Sequence, residues 1–393
     1  MKLYKTPSRT RFQPLAFSTP DEIVLDFIIQ PIMFTQQLIT SATLLGLSAA
    51  YVAPRATPAG DGFPDPNPQQ LLSIEQQADG LLSNLPPPPQ LSNAGITNFQ
   101  LIAFNENLEV SFFDEIIKNI TSHTPGFSSN SSAYSETALL EILNTVKAQE
   151  ELHAITAINN LEHFNAPLVP EPCTYKFPVS NLEEAITLAE TLTAVVLGTL
   201  QDAEQSFATN GDDGAVRAVS SVIGQEGEQN GFYRSLLNLK PSEKPFLTTN
   251  VAAFAFSALQ QFIVSCPFDI TQIPIPIFPP LQVLTTAEPR DMYLSFSADL
   301  TGNPDINGGS DFSGLFVTYL VGQQLPISEP IINPQFDGGV LTFNALFPFT
   351  ENIMSGLSIA ALTNSSNFAN ADALVANTLA APGLIQVNDM LTA

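Results

Sequence analysis

The sequence predicts a mainly α protein: a bundle of four long helices with an added fifth, followed by a small C-terminal antiparallel β-sandwich. Two observations carry this. From about Asn93 to Ser265 apolar residues recur with a helical period in four long segments and a fifth from Val251 to Val264, separated by loops carrying Pro, Gly, Ser and Asn. After Ile273-Pro274-Ile275-Pro276-Ile277-Phe278-Pro279-Pro280, where no helix can form, the text changes to short alternating or apolar runs between Gly, Asn, Asp and Pro clusters. With 393 residues, 44% of them hydrophobic, the chain has ample material for a large core.

Residues 1–32 carry Lys2, Lys5, Arg9 and Arg11, three acids (Asp21, Glu22, Asp26) and no apolar periodicity. They read as an upstream extension, with Met33 as the true start. The alternative, an organellar transit peptide, sits poorly with the acids. Residues 33–50 have the apolar length and small-residue end of a secretory signal cleaved after Ala50. Sequons at Asn119, Asn130 and Asn364 agree with secretion, to the cell exterior or the cell wall. Cys173 and Cys266 lack zinc or redox spacing, so in an oxidising compartment they form one disulfide, the alternative being two buried thiols.

Residues 51–92 follow as a proline-rich linker, with nine prolines between Pro54 and Pro89. The helical bundle is expected over 93–267, a proline-rich connector over 268–289 and the sandwich over 290–393. Its strand signals are Tyr293–Ser297, Leu315–Leu320, Gly339–Phe343 and Leu357–Leu362. This last region has neither histidine nor cysteine, so packing or binding is its expected role. Across the chain 38 acids stand against 13 bases, a net charge of -25, which argues against nucleic acid or anionic lipid as a partner. No run of 18 apolar residues suggests a spanning helix. The cell wall and a second copy of the chain remain as partners.

Each long helix threads on an alternating four-and-three step, the seam that faces a bundle core. The first seam reads Phe99, Ala103, Glu106, Val110, Phe113, Ile117; the second reads Leu139, Leu143, Val146, Glu150, His153, Ala157. The third runs from Leu182 to Phe207 with Thr193 in its middle, and the fourth from Ala215 to Leu236 through Glu226 and Gln229. Buried carboxylates cost several kcal/mol unless paired or metal-bound. A metal centre in a four-helix bundle is the known solution: two helices give one Glu each and two give Glu-x-x-His, a donor set suited to iron or manganese. Here Glu106, Glu150, His153 and Glu226 are the candidate ligands, while Thr193 and Gln229 occupy the positions of lost ones. Glu190, one turn before Thr193, offers a partial substitute. Glu109, off the seam, reads as an exposed acid. The bland alternative for Glu150 and His153 is a hydrogen-bonded relic, with the Gln229 amide donating to the carboxylates in a metal-free core. His163 reads as a solvated helix-end residue, and His123 carries no signal.

The sequence also resembles the fungal secreted ferritin-like proteins typified by the late sexual development protein. The resemblance runs from about Asn98 to Pro267. Its carriers are Phe99–Glu106, Ala148–Ala154, Pro172-Cys173, Phe177–Asn181, Val196–Asp202 and Gly224–Gln229. It implies a ferritin-like fold and an association with development or stress. The leading expectation is therefore a secreted glycoprotein with a degenerate di-metal site, non-catalytic or weakly metal-binding. The alternatives are an iron- or manganese-dependent oxidase or oxygenase, and an extracellular adhesive or storage protein.

Overall fold

The computed structural model describes residues 60–129, 132–303, 306, 309, 311–388 and 390–391. The upstream extension, the signal segment, the first part of the linker and the sequon at Asn130 lie outside them.

The first element corrects the linker. Helix α1 (Pro68–Gln77) starts where the Asn67 side chain accepts from the backbone N–H of Gln69 and Gln70 while Gln70 reaches back to the Asn67 N–H, with Pro68 opening the helix. Ile74, with Phe63 and Ala78, is buried against Ala148, Leu152 and Ile155. Proline here opens a helix rather than excluding one.

The four long helices are α2 (Asn93–Thr121), α3 (Glu136–His163), α4 (Leu182–Asn210) and α5 (Asp213–Leu236). Ser92, Ser135 and Asn181 cap the first three through their side chains, and Gly211, with φ 81°, lets α4 turn directly into α5. Two helical hairpins result, joined by the crossover 164–181. Every residue of the third seam is buried, as are all of the first but Ile117. The fifth helix is shorter than expected: α6 (Ala252–Leu259) ends in a 3-10 turn, and the chain continues as strand β2 (Ile263–Ser265) paired with β1 (Thr174–Tyr175). The disulfide Cys173–Cys266 clasps this ribbon and closes a loop spanning 93 positions, worth about 4 kcal/mol on the chain-entropy account.

Beyond it, all pairing is antiparallel. One sheet has the order β10 (Thr378–Val387), β9 (Gly356–Thr363), β5 (Phe316–Val321), β6 (Ile327–Pro330); the other β3 (Leu281–Val283), β4 (Met292–Asp299), β8 (Val340–Phe347), β7 (Ile332–Asp337). Strand β3 corrects the connector, since it joins the sheet directly after Pro279 and Pro280. Alternate residues of β4 and β8, including Phe296, Phe343 and Phe347, meet Val317, Tyr319 and Leu362 in a shared core. Strand β9 is buried at all eight positions because its other face, with Ile359 and Ala361, packs on Val195 of α4 and Phe254 of α6. Among the described residues no helix is long and apolar enough to cross a membrane.

Candidate metal centre

Four seam residues converge at mid-bundle. Glu106 of α2, Glu150 and His153 of α3, and Glu226 of α5 each place one ligand atom within 4.8 Å of the others. The i, i+3 spacing brings Glu150 and His153 to one face of α3, where His153 Nδ1 lies 2.8 Å from Glu150 Oε2 and 3.8 Å from Glu106 Oε2. All three carboxylates are buried. Both oxygens of Glu106, both of Glu226 and Oε1 of Glu150 have no hydrogen-bond partner. Protein structures almost never tolerate so many orphaned acceptors at one point without a cation or protons to meet them.

The electrostatics follow from burial. Desolvation pushes the Glu106 carboxyl up to about 7, against the pull of His153. Glu226 is held well above the ordinary carboxylate range by burial and by the charges of Glu106 and Glu150. Burial alone would lower the His153 imidazole, but Glu150 and Glu106 raise it well above its usual value.

The two positions of lost ligands behave differently from expectation. Gln229 does not donate to the carboxylates: its Nε2 donates to Gln149 Oε1 at 3.3 Å, its Oε1 accepts from Tyr233 Oη at 3.3 Å, and Gln225 Nε2 donates to the same Gln149 oxygen at 2.8 Å. Glu190 does not substitute for the acid missing at Thr193. Its carboxylate accepts from Arg234 Nη1 at 2.6 Å and from Gln386 Nε2 at 2.7 Å. Thr193 itself is buried.

Glu109 is the residue that the seam misplaced. It is 3% exposed, not a surface acid. The reason is that α2 is covered on nearly every face: α3 and α4 pack on it, α6 lies against it, and Gln100 and Asn107 donate to the carbonyls of Leu168 and Pro170 in the crossover. Burial raises its carboxyl well above the ordinary range, and the charges of Glu150, Glu226 and Glu106 add to this. His163 lies exposed at the end of α3 and His123 is exposed in the loop between α2 and α3, neither belonging to the cluster.

Residues 92–239 match the family model of the ferritin-like domain. No curated protein matches the chain. The matched span runs from the cap of α2 to just beyond α5, so it takes in all four of the converging side chains. The ferritin-like domain here thus keeps a carboxylate and histidine cluster compatible with a metal site. Five unmet carboxylate oxygens beside one imidazole are what a bound cation would satisfy.

Proposed function

We propose that the protein is a secreted ferritin-like protein that holds iron or manganese inside its bundle, with Glu106, Glu150, His153 and Glu226 as the ligands. The observation that carries this is the set of orphaned carboxylate oxygens gathered with His153. A bound ion would supply Lewis-acid and one-electron chemistry at that point. The chain's own groups do the rest. His153 Nδ1 shares a hydrogen bond with Glu150 at 2.8 Å and lies 3.8 Å from Glu106, and ligands must be deprotonated to bind an ion, so loading would release protons. The Gln149, Gln225 and Gln229 amides and Tyr233 form the polar wall beside it.

Secretion is supported by the Cys173–Cys266 disulfide and by the exposed sequon at Asn364. A role in fungal development or stress rests on the resemblance of the helical region to the late sexual development proteins. An oxidase is the second reading, favoured by one observation: the His153 side chain keeps 14% exposure, which leaves the ligand cluster reachable from solvent.

The test is elemental analysis of protein secreted and purified without a histidine tag or chelator. Near-stoichiometric iron or manganese is expected in the wild type and none in His153→Ala with the bundle still folded. A wild-type chain that binds neither metal after reloading sinks the reading. Metal-dependent oxygen consumption would separate the oxidase from the holding protein.

A further inference from the structure

A cavity of about 740 Å³ lies away from the metal centre, where the end of α5 and the loop that follows it meet strands β5, β9 and β10. It opens to solvent and has the size of a small-molecule site. The loop is pinned to the strands around it. Glu243 accepts from the Leu357 N–H at 2.7 Å, Lys244 donates to the Leu357 carbonyl at 2.8 Å, and the Gly322 N–H donates to Thr248 Oγ1 at 3.0 Å. So close an approach needs glycine on the strand side. A Cβ at Gly356 would run into the Glu243 carboxylate, one at Gly322 would stand 3.2 Å from the Phe246 carbonyl oxygen, and both residues have positive φ.

The mouth of the cavity is apolar and its buried side is charged. Pro245, Phe246, Ile353 and Val387 line it, with Phe246 68% and Ile353 75% exposed. Ile353 also holds φ 48° and ψ 59°, a left-handed conformation that a β-branched residue takes only at a cost. Large apolar side chains gathered in water at one opening mark a binding surface. Arg234, Lys240 and Lys244 line the same cavity, three of the chain's 13 basic residues, against Glu243 and Glu351.

Two donors here remain unspent. Arg234 is 3% exposed, with Nη1 donating to Glu190 and Asn388 and Nε to the Lys240 carbonyl, while Nη2 has no hydrogen-bond partner among the described residues. Asn388 Oδ1 accepts from that Nη1 at 3.0 Å, which fixes the orientation of the amide and leaves its Nδ2 without a partner among the same residues. Both residues line the cavity, so these are the N–H groups left for a ligand.

We propose that the cavity binds a small amphipathic carboxylate, its head on Arg234 Nη2 and Asn388 Nδ2 and its apolar body along Phe246, Ile353 and Val387. A carboxylate accepts from paired N–H donors, and a guanidinium bonds an anion more strongly than a neutral carbonyl. The apolar body is what takes Phe246 and Ile353 out of water. Nothing in this site depends on a metal at Glu150 and His153.

The test is calorimetric titration of the full secreted chain with sodium decanoate below its micelle concentration, beside decanol, which lacks the charge, and acetate, which lacks the body. One decanoate per chain is expected, with decanol weaker by about tenfold or more and acetate unbound at the same concentration. Naphthoate, run in parallel, separates a planar aromatic body from a flexible aliphatic one. Asn388→Asp keeps the oxygen that meets Arg234 and puts an anion where the amide donated, so carboxylate affinity should fall by about tenfold or more in a chain that still folds. Phe246→Ala combined with Ile353→Gly relieves the left-handed turn, removes the apolar mouth and should weaken binding without loss of thermal stability. Failure of both carboxylates to bind overturns the proposal, as does equal affinity for decanoate and decanol. Carboxylate binding unchanged in Asn388→Asp or in the double variant overturns it too, by placing the ligand elsewhere on the chain.

Discussion

About two turns apart on α5, Glu226 and Arg234 enter two buried polar clusters of opposite character. Around Arg234 every strong charge has an answer. Its Nη1 donates to Glu190 and to Asn388 Oδ1 at 3.0 Å, its Nε donates to the Lys240 carbonyl at 2.8 Å, and Gln386 binds the other side of Glu190. Nearby, Glu243 accepts from the Leu357 N–H at 2.7 Å and pairs with Lys244 at 3.4 Å. Strands β9 and β10 are thereby tied to α4 and α5. Around Glu226 the acids face one another with a single histidine among them. The lesson is that burial alone does not distinguish a structural carboxylate from a binding one. What distinguishes them is whether the oxygens have been met within the chain.

Removing a partner should therefore cost most where the charges are balanced. Arg234→Leu leaves Glu190 buried with only an amide, and a loss of about 3–5 kcal/mol in unfolding free energy is expected. Metal content per chain should not change. Denaturant titration and elemental analysis of the same variant check both halves, and a large metal loss in a folded variant would show that the clusters are not separate. Replacing both Arg234 and Glu190 by leucine should recover much of the loss, because the desolvation penalty goes with the charges.

The unbalanced cluster should respond to pH instead. In ion-free protein the Glu106 carboxyl is raised from 4.5 to about 7, so the folded chain holds this proton more tightly than the unfolded one. That contribution is fully present below about pH 4.5 and lost as pH rises through about 7, up to about 3 kcal/mol for this group. Ion-free protein should thus be less stable at pH 8 than at pH 5, with added manganese restoring more at the higher pH. Stability that is flat across this window would argue against the burial described.

A smaller effect is expected of Glu226→Gln. It replaces a carboxyl that burial and the charges of Glu106 and Glu150 make costly to ionise with a neutral amide of the same shape, so ion-free protein should gain on the order of 1–3 kcal/mol wherever that carboxyl would be ionised, while metal binding is abolished. The opposite signs of Arg234→Leu and Glu226→Gln on stability are the sharpest form of the comparison. If both destabilise alike, the cluster at Glu226 is satisfied by means the geometry does not show.

How much of this was legible in the sequence depends on what covers each element. The four-and-three step located Glu106, Glu150, His153 and Glu226 because a helix in a bundle has one face turned inward, and the period reports that face. Glu109 was invisible to the same test, since α6 and the crossover that bury the other faces of α2 come from distant parts of the chain. Strands β4, β5, β8 and β9 were readable, and they are the inner strands of their sheets. The four that left no signal, β3, β6, β7 and β10, are the edges. Edge strands carry Pro330 in β6, Pro334 in β7 and Pro382 in β10, and β7 is largely exposed, so neither alternation nor an apolar run marks them. Helix α1 did leave a signal, Asn67-Pro68 with Gln70, which the surrounding prolines obscured.

The smallest expected effect concerns the stretch of α5 that carries Glu226. Gly224 and Gly227 flank it, and a Cβ at either would meet nothing within 4 Å. Neither has the positive φ that would demand glycine. Glycine in a helix interior costs up to about 1 kcal/mol relative to alanine, so this turn is weak by composition rather than by packing. Gly224→Ala and Gly227→Ala should each raise stability by about 0.5–1 kcal/mol. The number of ions held at equilibrium should not change, because no ligand moves. Amide exchange should slow across 224–230 and stay as it was near Arg234, where the ion pairs already hold the helix. If ions enter by local opening of this turn, the alanine variants should also load more slowly at unchanged final occupancy. Faster or equal loading in a measurably stiffened helix would place the entry elsewhere, with the partly exposed edge of His153 the next position to block.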